Sequence, residues 1–157
     1  MTNKELKIAY TEYESPDQLE QAEKELVEAA VEATKTSYAP YSSFNVGAAV
    51  RLEDGQIVKG SNQENAAYPS GLCAERTVMF YAGANHGDKT MTAIAVAASQ
   101  NGVLCPSPVS PCGACRQVMA EYQKRGERPL AVILVGKDRI LRFSNVESLL
   151  PLIFDSI

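Results

Sequence analysis

Apolar positions along this chain fall into short alternating runs and longer stripes at helical spacing. Leu6, Ile8 and Tyr10 alternate with polar or small residues, which predicts a short strand within residues 1–15. Ser15-Pro16 reads as an N-cap followed by Pro at the first helical position. Leu19, Ala22, Leu26, Ala29, Ala30 and Ala33 then recur at helical spacing, predicting an amphipathic helix over 17–36, closed off by Pro40. Residues 46–52 read as a strand, Asp54-Gly55 as a turn and 56–59 as the returning strand of a hairpin. A polar loop over 61–70 leads to a helix over 73–84, a small-residue strand over 93–98 and a Pro-rich loop over 99–111. Ser110-Pro111 repeats the cap-plus-Pro signal, so Cys112 is expected to open a helix reaching 124. The nearly all-apolar run 130–135 suits a strand buried on both faces, followed by a strand over 140–143 and a helical turn over 147–150. Strands alternating with helices at this spacing mean a sheet covered by helices, class α/β or α+β.

Composition narrows what such a sheet serves. A chain of 157 residues is expected to form one domain, with 1–15 as an N-terminal addition, and is long enough for a core without disulfide staples. A net charge of −4 argues against gripping phosphate backbones, which needs clustered positive charge. The N-terminus is polar, and the longest apolar run, 130–135, falls far short of the ~20 residues that span a bilayer. The expected setting is therefore the cytoplasm, with reduced thiols and no membrane or nucleic-acid partner. Four Cys stand against a single His, so any metal chemistry here is done with thiolates.

Two segments concentrate that chemistry: Cys73-Ala74-Glu75-Arg76 and Pro111-Cys112-Gly113-Ala114-Cys115-Arg116. A Cys-x-x-Cys pair alone is compatible with a redox couple, a zinc half-site or neither. Cys112 and Cys115, three apart on a first helical turn, share a face. Cys73 joins them if both helices aim their N-termini at one point, where the positive helix ends favour thiolate over thiol. Three thiolates suit Zn²⁺ and leave a fourth tetrahedral position free, the mark of a catalytic rather than a structural site. Zinc lowers the pKa of a bound water, and Glu75 is placed to shuttle its proton. Arg76 or Arg116 is expected to offset the thiolate charge. Cys105 is expected to be an ordinary structural or surface cysteine, and His86 to be solvated.

These motifs together resemble the cytidine deaminase family in its short, three-cysteine, homotetrameric form. The likeness extends over about 24–154 and takes in Tyr41-Ser42-Ser43-Phe44-Asn45-Val46-Gly47-Ala48-Ala49, Ser61-Asn62-Gln63-Glu64-Asn65-Ala66-Ala67-Tyr68 and Leu149-Leu150-Pro151-Leu152-Ile153-Phe154. The resemblance implies a three-layer α/β/α sandwich on a mixed sheet and one zinc per chain on Cys73, Cys112 and Cys115, with Glu75 as proton shuttle. It implies that Asn62 and Glu64 bind the ribose 3′-hydroxyl, that Phe44 stacks on the pyrimidine and that the backbone of Ala74 reads it. Ala66 and Tyr68 would stand near shared pocket walls, Phe154 would reach a neighbouring subunit's pocket, and Arg76 would pair with thiolates. The implied reaction is hydrolytic deamination of free cytidine and 2′-deoxycytidine in pyrimidine salvage. Two other readings stand beside it: a deaminase of cytosine-nucleoside antibiotics of the blasticidin S type, and a non-catalytic zinc-binding domain, which would need a closed site. The N-terminal addition, the stretch Pro69-Ser70-Gly71-Leu72 and the loop 99–110 depart from the family pattern.

Overall fold

In a computed structural model, which describes residues 1–155, seven strands form one mixed sheet flanked by three α-helices. The elements follow as β1 (Thr11–Tyr13), α1 (Gln21–Ala33), β2 (Phe44–Leu52), β3 (Ile57–Ser61), α2 (Ala74–Asn85), β4 (Met91–Gln100), β5 (Val103–Leu104), α3 (Gly113–Arg125), β6 (Ala131–Val135) and β7 (Ile140–Phe143). The strand order is β1-β7-β6-β4-β2-β3, with β5 pairing the end of β4. Only β4 and β6 run parallel, because α3 carries the chain back between them; the other pairs are antiparallel.

Alternation along the strands sorts the core into two layers. Ala49, Ala93, Ala95, Ala97, Ile133 and Val135 face α1, where Leu26, Val27 and Ala30 are buried against them. Their strand neighbours Ala48, Val50, Ile94, Val96, Val132 and Leu134 pack with Val78, Met79 and Ala82 of α2 and Met119 of α3. This is the expected three-layer arrangement. Helix α1 covers one face, while α2 and α3 share the other.

Two glycines set how closely the helices lie. A Cβ on Gly47 would stand 2.2 Å from the Ala30 carbonyl oxygen and 2.5 Å from the Thr34 nitrogen, so α1 rests directly on the β2 backbone. A Cβ on Gly60 would stand 2.9 Å from the Val78 nitrogen, so α2 is similarly seated on β3. Gly47→Ala therefore forces backbone apart rather than side chains. It is expected to cost about 3 kcal/mol, the upper end for overpacking, and to lower Tm by about 6–12 °C. An unchanged Tm in thermal unfolding would show that α1 can lift off the sheet freely.

The first fifteen residues differ from expectation. Leu6, Ile8 and Tyr10 are exposed and lie outside any strand; pairing falls on 11–13 instead, against β7. Local alternation marked strand-forming residues, but the free edge of β7 decides which of them pair. Ser15-Pro16 opens a 3₁₀ turn over Pro16–Gln18, with the Ser15 hydroxyl accepting from the Asp17 amide. Helix α1 starts later, after Glu20, and ends in a second 3₁₀ turn over Thr34–Thr36. Ser110 is not the cap of α3: Cys112 itself takes that position, in extended backbone, and its carbonyl accepts the first helical bond from Arg116. The short β5 within the loop 99–111 was not expected. The final turn is present as hydrogen bonds from Leu149 and Leu150 to the Val146 carbonyl. No helix is long and apolar enough to cross a membrane among the described residues.

Candidate metal centre and adjoining cleft

Cys73 and Cys112 are the N-caps of α2 and α3, and neither helix has a side-chain cap. Both helices thus aim their unsatisfied first-turn N–H groups and positive ends at one spot, which stabilises negative sulfur there. Cys115, one turn into α3, is fully buried and completes the group. The sulfurs of Cys73, Cys112 and Cys115 all lie within 4.8 Å of one another, with Cys73 to Cys112 at 4.0 Å and Cys112 to Cys115 at 3.4 Å. Three sulfurs about 2.3 Å from a tetrahedral zinc stand roughly 3.8 Å apart, so the observed spacings bracket what the ion demands. The donor set fits zinc: three soft thiols, no fourth ligand among the described residues, and one tetrahedral position left over.

The surrounding charges support that role. Arg76 places Nη2 3.8 Å from the Cys73 sulfur. The Cys73 thiol is lowered to about 5, first by a hydrogen bond from Cys115 and then, against some desolvation, by Arg76 and Cys112. Cys115 is pushed up, because it donates that hydrogen bond and is buried beside Glu75. Arg116 does something else. Its Nε donates to the Pro111 carbonyl at 2.9 Å and its Nη1 to the Leu149 carbonyl at 2.8 Å, so it binds the C-terminal segment to α3. Between the two arginines, Arg76 is the one at the thiols. Cys105 lies outside the cluster; its backbone joins the loop to Ala98 and Lys137.

Glu75 is buried on the first turn of α2, at 4% exposure. Burial holds its carboxyl above the usual carboxylate range, and the neighbouring Cys73 thiolate pushes the same way, while Cys115 and Arg76 oppose. Ala74, also buried, sits between Cys73 and Glu75 in the same turn. The turn is locked by Thr77, whose amide and hydroxyl both donate to the Cys73 carbonyl, at 3.0 and 3.1 Å.

A cleft of about 400 Å³ opens beside the thiols, and Cys73, Arg76, Asn62, Glu64, Tyr68 and Tyr41 are among the residues that line it. Asn62 is half-buried, and its amide is held by the β2 backbone: Oδ1 accepts from Val46 N and Nδ2 donates to the Phe44 carbonyl. Glu64 accepts from the amides of Tyr41 at 2.9 Å and Ser42 at 3.3 Å, and from the Ser42 hydroxyl. These donors, the hydroxyl first, hold its carboxyl below the usual range. Tyr68 meets Tyr41 edge-on, with ring centroids 6.2 Å apart, at the cleft wall.

Not every expected residue is brought there. Phe44 contributes its backbone to Asn62, and its half-buried side chain is not among the residues lining the cleft. Ala66 is exposed on the loop and also lies outside the lining. Phe154 is exposed and lines a different hollow, held against α3 by Gln117. The sequence reading missed Tyr41 and Ser42 as cleft residues. The signal available was the Tyr-Ser pair two positions before Phe44, but only the fold brings it against Glu64, 22 positions further along the chain.

Comparison with known proteins agrees with this geometry. Residues 20–141 match the model for the cytidine and deoxycytidylate deaminase zinc-binding region. A cytidine deaminase of Halalkalibacterium halodurans is 48% identical over 96 residues, covering 61% of this chain and 68% of that protein. The crystal structure of the cytidine deaminase from Burkholderia pseudomallei superposes with a TM-score of 0.69 at 42% identity, covering 83% of this chain and 97% of that one. The blasticidin-S deaminase of Bacillus cereus is similar at a lower level, 29% identical over 136 residues, covering 85% of this chain and 93% of that protein. With the family model spanning most of the chain, and the three-thiol cluster falling inside the matched residues, the chain belongs to the cytidine deaminase family and is a zinc hydrolase.

Proposed function

We propose that this protein hydrolyses free cytidine and 2′-deoxycytidine to uridine and 2′-deoxyuridine, releasing ammonia. The observation that carries the reading is the three-sulfur cluster with Glu75 buried on the same helical turn as Cys73, which itself lines a cleft sized for a small molecule. Zinc on Cys73, Cys112 and Cys115 would supply Lewis acidity and lower the pKa of a water in its open position. Arg76 offsets the excess negative charge of three thiolates around a divalent ion. Glu75 takes a proton from the water that attacks ring carbon 4 and gives it to the ring nitrogen; it then takes the remaining proton from the new hydroxyl on carbon 4 and passes it to the amine as the carbon–nitrogen bond breaks. Water and cytidine go in; uridine and ammonia come out.

The cleft's polar pair matches a sugar hydroxyl. Glu64, held as a carboxylate, can only accept, and the Asn62 amide has an N–H left to donate. One hydroxyl satisfies both, donating to Glu64 and accepting from Asn62. Phe44 is assigned to the pyrimidine face and the Ala74 backbone to its edge. Ala66 and Tyr68 are assigned to pocket walls shared between subunits. Phe154, turned away from its own cleft, is assigned to the pocket of a neighbour in a homotetramer. The acidic net charge supports a free nucleoside rather than a nucleic acid as substrate, in cytoplasmic pyrimidine salvage. Turnover of cytidine by zinc-loaded protein tests the reading. The likeness to a blasticidin-S deaminase favours a second substrate class, and turnover of that antibiotic beside cytidine separates the two.

A further inference from the structure

The acceptor side of the Asn62 amide is fully occupied by the protein itself. Its Oδ1 receives the Ser37 hydroxyl at 2.5 Å and the Val46 amide at 2.8 Å, while Nδ2 donates to the Phe44 carbonyl at 2.9 Å. A side-chain amide has two acceptor lone pairs and two donors, so one N–H remains for anything entering the cleft. Val46 and Phe44 belong to β2 and decide which end of the amide is oxygen. Ser37 comes from elsewhere: it follows the 3₁₀ turn after α1 and is half-buried. Its placement is not incidental. Tyr38 donates its amide to the Asn62 carbonyl at 3.0 Å and accepts from the Glu64 amide at 2.8 Å, which pins residues 37–38 alongside 62–64.

We infer that Ser37 is a positioning residue for substrate binding, whose hydroxyl holds and polarises the Asn62 amide so that its free N–H donates to a sugar hydroxyl. The inference rests on the nucleoside reading of the cleft. Donation into an amide oxygen draws density away from nitrogen and strengthens the N–H as a donor, as in other linked hydrogen bonds. Removing the Ser37 hydroxyl leaves Oδ1 with a single partner, so the amide is both freer to swing and less acidic.

The test uses zinc-loaded wild type and Ser37→Ala, with uridine and 3′-deoxyuridine as competitive inhibitors of cytidine turnover. In Ser37→Ala the inhibition constant of uridine is expected to rise about three- to tenfold, the range of one neutral hydrogen bond. That of 3′-deoxyuridine is expected to change less than about twofold, since it has no hydroxyl for Asn62 to find. Equal weakening of both compounds would make Ser37 a general structural residue, and no change in either would remove it from binding; both results overturn the inference. Should wild type bind the two compounds equally, the hydroxyl-binding assignment of Asn62 and Glu64 fails first and takes this inference with it.

Discussion

Glu75→Gln is expected to keep its zinc and lose turnover by about 10²–10⁴-fold, the range for removing a positioned general acid–base group. Gln has nearly the shape of Glu and keeps a carbonyl oxygen, so α2 and the burial of position 75 are preserved. What it lacks is the ability to accept a proton and hand it on. The carboxyl is well suited to that work, because burial beside Cys73 raises its proton affinity. Zinc content of the variant, measured beside its rate, makes the result decisive. Retained metal with lost turnover assigns Glu75 to the chemistry. A Gln variant that loses the metal would instead make Glu75 a support for the thiol cluster. Retained activity would remove it from both roles.

Removing a thiol has the opposite signature. Cys112→Ala is expected to reduce zinc from one per chain to near zero under dialysis, and activity falls with it. Loss of a partner behind a ligand already costs roughly 10–100-fold in metal affinity, and loss of one of only three ligands costs more. Cys112 is the informative position because it is exposed and caps α3, so its replacement leaves the core intact. Cys115→Ala adds a cavity in the buried first turns of α3 and confuses metal loss with unfolding. Full zinc occupancy in Cys112→Ala would mean that the ion is held elsewhere.

Much of this was legible in the sequence because it depends on local spacing. The unbroken apolar run that became β6 follows from burial on both faces, and the stripe of apolar residues on α1 from side-chain direction along a helix. The cluster of Cys73, Cys112 and Cys115 was legible for a related reason: two cysteines at helix starts and a third one turn on can meet only if two helix N-termini converge. Tertiary pairing decided what was not legible. The choice of 11–13 over 6–10 as β1 depends on β7 offering a free edge, which no local window contains. The Ser-Pro signals were real turn signals, but both sat several residues or a turn ahead of the helix proper. At Cys112 the difference has a consequence: as N-cap in extended backbone, its sulfur points back across the helix end towards Cys73. The cleft was legible only as separate strings. That Ser42 and Ser37 brace Glu64 and Asn62 depends on loops brought together by β2 and β3.

One experiment tests zinc-dependent cytidine hydrolysis most directly. Protein loaded with zinc and assayed for metal content is mixed with cytidine, and the cytosine absorbance band and free ammonia are followed together. The predicted result is one zinc per chain, a falling band and ammonia released in equal measure to the cytidine consumed. Full zinc occupancy with no loss of cytidine would contradict it.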